Sequence, residues 1–287
     1  MADEGRTGRT HSSTDQMRPP ADEGSLPSDI DFTRPSVARF YDYALGGKNN
    51  FPVDREVADE FFRLMPETRQ LAFHNRLVLR RAVRYLVAEA GIRQIIDIGS
   101  GLPTQGNVHE IAHAIDPRTR VVYVDNDPVV LAHGRALLAD NDTTRVILGD
   151  VLRPETIFDD PDVRNHIDLS QPFAVLVAGV LHLLSDRQNP WAATAAITER
   201  LPSGGYLLAL NVVNGDPRAA ALEQRFATGV LRSVGRARSF EEQLRFFDGL
   251  ELVEPGLVHV NDWRPDDQTL KDSPVHRLLA LGLGRKP

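Results

Sequence analysis

The chain has 287 residues, 41% of them hydrophobic, with 33 basic against 40 acidic side chains, a formal charge of −7 and no cysteine. Length and apolar content suffice for one large core, or one core with a small appendage; the acidic balance argues against a non-specific nucleic-acid binder, and disulfides, thiolate zinc sites and a cysteine nucleophile are excluded. No apolar run approaches the roughly 20 residues of a membrane span and the start lacks the apolar core of a secretory signal, so a soluble cytoplasmic protein is expected.

Residues 1–29 are rich in Gly, Ser, Thr, Pro, Asp and Arg and cannot bury enough surface to offset the entropy of ordering them. They read as a disordered tail before one domain over 30–287, divided into a helical cap (30–92) and an α/β core (93–287). Within the cap, 36–51 reads SVARFYDYALGGKNNF, and an amphipathic helix is expected over 54–65. A longer one is expected over 69–90, where Leu71, Val78, Leu79, Ala82, Val83 and Leu86 recur at helical steps and Gly91 is placed to end it.

Strands and helices then alternate. Strands are expected at 94–98, 121–124, 145–148, 173–178 and 206–211, and helices at 107–115, 128–138, 154–158, 161–169 and 191–200. Such alternation builds a doubly wound, mostly parallel sheet with helices on both faces, a Rossmann-like α/β fold. After helices at 217–230 and 239–247, segments 250–254 and 278–283 read as two strands forming a hairpin at the sheet edge.

The first strand runs into Asp97-Ile98-Gly99-Ser100-Gly101, with Thr104 where a dinucleotide fingerprint would carry its third glycine. This D-x-G-x-G pattern leans to S-adenosylmethionine rather than NAD: Asp97 suits the ligand's ammonium, while Gly99, Ser100 and Gly101 allow close backbone approach. The second strand ends in Asp125-Asn126-Asp127-Pro128. Asp125 is positioned to accept from both ribose hydroxyls, Asn126 lies beside the adenine edge, and Asp127 is better read as a cap on the helix opened by Pro128. The third strand leads to Gly149-Asp150-Val151, where Asp150 can accept from the adenine amino group and Val151 can pack on the ring. The fourth leads to Ala178-Gly179-Val180-Leu181-His182. Gly179 permits close approach of a ligand there, and His182 is either a general base near neutral pH or a packed structural histidine. His109 and His113 form an i,i+4 pair with no convincing third ligand, so no metal is predicted.

These motifs, with Leu201-Pro202-Ser203-Gly204-Gly205 before strand five, resemble class I S-adenosylmethionine-dependent methyltransferases. The stretch from Arg34 to Phe51 resembles the opening signature of a narrower family of such enzymes, found chiefly in actinomycetes and long carrying only an unknown-function label. The resemblance implies a seven-stranded sheet with an antiparallel last strand, S-adenosylmethionine as cofactor, and a contribution of the signature to the pocket. Tyr41 and Tyr43 would then supply aromatic walls, Gly46 and Gly47 a tight turn, and Lys48, Asn49 and Asn50 donors, with Asn75 and Arg76 reaching the amino-acid end of the cofactor. The family position after strand four often holds an acid or polar group, which Ala178-Gly179 lacks. The expected activity is methyl transfer to a small-molecule acceptor docked above 179–182 and near the 261–273 loop, without nucleic acid, membrane or metal. A non-catalytic cofactor-binding protein on the same fold is the alternative; an NAD-linked oxidoreductase is a distant third.

Overall fold

The short runs rich in Val, Ile and Leu form the centre of the molecule. In the computed structural model, which describes residues 33–103, 106–137, 141–228, 235–270 and 272–287, β1 (Gln94–Ile98), β2 (Arg120–Asp125), β3 (Thr144–Leu148), β4 (Ala174–Ala178) and β5 (Tyr206–Val212) pair in parallel in the order β3-β2-β1-β4-β5. Alternate residues feed two cores. Ile95, Val121 and Leu176 pack on one face with the cap, and Ile96, Val122 and Val175 pack on the other, which is the period-two consequence of a pleated sheet covered on both sides. Because β1 has β2 on one side and β4 on the other, the strand order reverses at β1, the place where such sheets open a ligand crevice.

The far edge is antiparallel. β8 (Leu279–Arg285) lies between β5 and β6 (Glu251–Leu252), antiparallel to both, and β7 (Val258–His259) pairs with β8 further along. The two predicted end strands therefore do pair, but the sheet has eight strands instead of seven, because the loop between them adds β7.

The cap consists of α1 (Val37–Ala44), α2 (Pro52–Leu64) and α3 (Thr68–Arg84). The core helices are α4 (Val108–His113), α5 (Pro128–Leu137), α6 (Glu155–Phe158), α7 (Pro161–His166), α8 (Pro190–Arg200), α9 (Pro217–Thr228) and α10 (Phe240–Leu244). The single long helix expected over 69–90 is α3 followed by a π-helical turn, Tyr85–Glu89, which ends before Gly91 at φ 73°. The tail 1–29, Thr104 and the predicted helix ends at 138 and 229–230 lie outside the described residues.

Candidate functional site

At the tip of β1 the chain turns sharply at Gly99, whose φ is 71°. A Cβ there would stand 2.2 Å from Val180 Cγ2, in a backbone conformation L side chains rarely adopt. The Gly99 and Ser100 N–H groups both donate to the Val124 carbonyl, at 2.7 and 3.1 Å, folding the turn across β2. Asp97, two residues earlier in β1, is buried, and burial pushes its carboxyl up to about 7, opposed by the nearby Arg76 cation and reinforced by Asp125.

Asp125 joins two loops. Its Oδ2 accepts from Gly101 N–H at 2.9 Å and its Oδ1 from Asp127 N–H at 3.0 Å; burial raises its pKa while these N–H groups lower it. Asp127 caps α5 by accepting from Val129 N–H at 2.9 Å, as its place before Pro128 suggests. Its second oxygen takes the Ser36 hydroxyl at 2.6 Å, which fastens the start of α1 across the cleft. At the tip of β3, Asp150 Oδ1 accepts from Leu152 N–H at 2.9 Å, and Oδ2 faces Arg153 at 3.3 Å.

These turns line one cavity of about 420 Å³, within the range of small-molecule and cofactor sites. Of the residues picked from sequence, it brings together Asp97, Gly99, Ser100, Gly101, Asp125, Asn126, Asp150, Val151, Ala178, Gly179 and Asn75. The cap closes it with Ser36, Val37, Ala38 and Tyr41 from the start of α1 and with Arg76 and Leu79 from α3. Tyr41 donates its hydroxyl to the Ala72 carbonyl at 3.0 Å, under the Arg76 guanidinium. The remaining wall follows β4: Val180, Leu183, Leu184 and Gln188.

Four picks lie outside this cavity. Tyr43 lies outside the cavity, with its hydroxyl on Asp59 at 3.0 Å and its ring stacked on Phe62. Asn50 turns inward, donating to Asp42 Oδ2 at 2.8 Å and to the Gly47 carbonyl at 3.0 Å. Gly47 is required by packing, since a Cβ would sit 2.0 Å from Asp42 Oδ1. The glycine-asparagine half of the signature therefore folds around the buried Asp42 carboxylate, which also takes Asn49 N–H at 2.9 Å, and it does not face the cleft. His182 is not among the cavity residues either. Burial pushes its imidazole down to about 4, so it is neutral and a poor proton acceptor at physiological pH.

The 261–273 loop contributes nothing to this cavity among the described residues. Its Asn261 and Ser273 instead hold the two nitrogens of His74 on α3, at 2.9 and 2.8 Å. His109 and His113 face Tyr123 and Thr119, each at 2.8 Å. The sequence reading placed the Arg34–Phe51 stretch at the pocket without singling out Ser36, Val37 and Ala38, and did not single out Gln188.

The donor and acceptor set fits S-adenosylmethionine: carboxylates at three adjacent strand tips, a glycine turn that admits backbone approach, and apolar Val151 and Leu152 beside Asp150. Comparison with known proteins agrees. Residues 23–287 match the S-adenosyl methyltransferase family. A protein from Thermobifida fusca YX, solved as a candidate methyltransferase, is 45% identical, with 91% of this chain and 98% of that one covered and a TM-score of 0.86. A DUF574 family protein from Streptomyces avermitilis MA-4680 is 37% identical over 90% and 99% of the two chains, with a TM-score of 0.84. No curated protein matches the chain. The chain belongs to the S-adenosyl methyltransferase family and is an S-adenosylmethionine-dependent methyltransferase.

Proposed function

We propose that this methyltransferase acts on a small molecule, in the cytoplasm of an actinobacterium, as one domain over residues 30–287 with the cap closing over the cofactor. The observation that carries the reading is the convergence of Asp97, Asp125 and Asp150 on one cavity from the tips of β1, β2 and β3. Asp97 takes the ammonium of the cofactor, with Asn75 and Arg76 at its carboxylate. Asp125 takes the ribose diol, with Asn126 beside it. Asp150 accepts from the adenine amino group while Val151 packs on the ring. Gly99, Ser100, Gly101, Ala178 and Gly179 give the ligand access to backbone.

S-adenosylmethionine supplies an electrophilic methyl group on its sulfonium. The chain's part is to hold the acceptor in line with it, against Val180, Leu183 and Leu184 and beneath α1, an orientation effect worth several kcal/mol, about 7 at the low end for a well-aligned pair. Tyr41 and Gln188 line the same cavity, and neither is a base at neutral pH. On this reading the acceptor brings its own free lone pair. A cavity of about 420 Å³ lined on one side by the start of α1, and a chain of net charge −7, favour a small acceptor over nucleic acid. The test is to incubate the enzyme with methyl-labelled S-adenosylmethionine and, separately, a small-metabolite fraction, a protein fraction and RNA. Label entering only the small-metabolite fraction is expected; label in protein or RNA alone refutes the assignment.

A further inference from the structure

The wall that follows β4, against which the proposed reading places the acceptor, has little regular structure: one 3₁₀ turn at Leu181–Leu183, then another at Asp186–Gln188. A segment of this kind needs an external template to hold a fixed shape. Residues 235–238 run directly against it, so closely that a Cβ on Gly235 would lie 2.0 Å from the His182 carbonyl oxygen. The side chain that follows, Arg238, is 1% exposed. Its Nη1 donates to the Leu181 carbonyl at 2.8 Å, and its Nη2 donates to the Leu184 carbonyl at 2.8 Å and to Asp186 Oδ1 at 2.9 Å. One guanidinium thus spans both ends of the turn that bears Leu183.

The arginine is itself anchored. Its carbonyl accepts from Gln243 Nε2 at 3.1 Å, which also reaches the Val212 carbonyl at the end of β5. Its guanidinium lies 5.0 Å from the Trp191 ring. Asp186 is fixed from the other side by Arg236 at 2.8 Å, and Arg236 pairs with Glu242 at the start of α10. A buried cation with one carboxylate partner is a weak device for stability alone, because its desolvation offsets most of the attraction. A planar fork that meets several acceptors at fixed spacing is a good device for geometry.

We infer that Arg238 is a positioning residue for methyl transfer, setting the shape of the 181–186 segment and through it the wall that orients the acceptor. The inference rests on the cofactor reading above. Arg238 does not touch the cavity, so its loss leaves the cofactor contacts of Asp97, Asp125 and Asp150 in place and loosens only the acceptor side. A lysine keeps the charge but replaces the two-nitrogen planar fork, which spans Leu181, Leu184 and Asp186, with a single nitrogen.

The test compares wild type with R238K and R238A. The readouts are calorimetric titration with S-adenosylhomocysteine, amide exchange at 181–186, and the ¹³C resonance of bound methyl-labelled S-adenosylmethionine. In both variants affinity for S-adenosylhomocysteine should stay within about twofold of wild type, as for groups with no shared partner. Exchange at 181–186 should rise about tenfold or more as charged hydrogen bonds are lost, and the bound methyl resonance should move towards its free position. Free guanidinium should restore both signals in R238A, and methylammonium should not. Unchanged exchange and an unmoved resonance in a folded variant overturn the inference, as does a loss confined to global stability with no guanidinium rescue. Failure of the wild type to bind S-adenosylhomocysteine overturns the cofactor reading together with it, whereas normal binding with unmoved signals overturns the role of Arg238 alone.

Discussion

With Asp97 as the proposed partner of the cofactor's ammonium, cofactor binding should depend on pH, and the size of the effect follows from the surroundings of this carboxyl. In the ligand-free protein burial raises its pKa from 3.8 to about 7, with Arg76 opposing and Asp125 reinforcing the shift. Only the ionised carboxylate suits an ammonium, so binding draws a proton off Asp97 as it proceeds. Between about pH 5.5 and 7 the ionised fraction rises from roughly 3% to roughly 50%, a factor of about 15, while an α-amino group with its usual pKa of about 7.7–8.0 stays charged. Affinity for S-adenosylhomocysteine should therefore rise about 15-fold over that interval, with roughly half a proton released per ligand at pH 7. Calorimetry in buffers of different ionisation enthalpy reads both quantities. Asp97→Asn should bind more weakly and abolish the dependence. A flat affinity profile in the wild type, or the same slope in Asp97→Asn, refutes the role given to this carboxylate. The same shift has a stability consequence. The folded state holds this proton more tightly than the unfolded chain, so the associated stability is present below about pH 3.8, is lost as pH rises to about 7, and is constant above. The ionised group then costs up to about 4 kcal/mol, and Asp97→Asn should melt higher than wild type in ligand-free protein at pH 7.5 or so.

The other predictions concern single contacts. Asp125→Ala should weaken S-adenosylhomocysteine binding by about 1–3 kcal/mol, since it removes a charged acceptor that also holds the Gly101 turn; unchanged affinity would remove Asp125 from the site. Ser36→Ala deletes the hydroxyl that ties α1 to Asp127. It should cost about 1 kcal/mol of stability and raise amide exchange over α1, and equal exchange in the two proteins would show that the contact does not hold the cap. Gly47→Ala forces a methyl onto the Asp42 carboxylate and should lower the melting temperature by several degrees without a proportionate change in cofactor affinity, whereas a selective loss of binding would return the glycine turn to the pocket. His182→Asn should leave the pH profile of methyl transfer between about 6 and 8 unchanged, because the imidazole, pushed down to about 4, is already neutral there; a wild-type rise with pH over this range that disappears in the variant would reinstate it as a proton acceptor.

The α/β core was legible because its strands are buried on both faces and read as unbroken apolar runs, as in 121–124 and 174–178. The strand-tip residues were legible for a related reason. In a parallel sheet every ligand-facing turn follows the carboxyl end of a strand, so locating the strand locates Asp97, Asp125 and Asp150. The cap was harder. Tyr43, Gly47 and Asn50 stand in a segment whose polarity suggests ligand contact, but their partners, Asp59 and Asp42, lie in the same cap, 16 residues from Tyr43 and eight from Asn50. A buried carboxylate organising its own loop and a loop organised around a ligand have the same composition. The shape of the wall at 183–188 was hidden because its apolar residues resemble core, and because the group that shapes it, Arg238, is some fifty residues away in sequence. Strand β7, only Val258–His259, is too short to carry an alternation pattern.

The most direct measurement is a crystal structure of the protein with S-adenosylhomocysteine. The ligand should lie in the cleft at the tips of β1 to β4, its ammonium on Asp97, its ribose on Asp125, its adenine between Asp150 and Val151, and its sulfur facing Leu183 and Leu184. A ligand bound with its ribose away from Asp125, or seated outside the cleft beneath α1, would contradict the site described here.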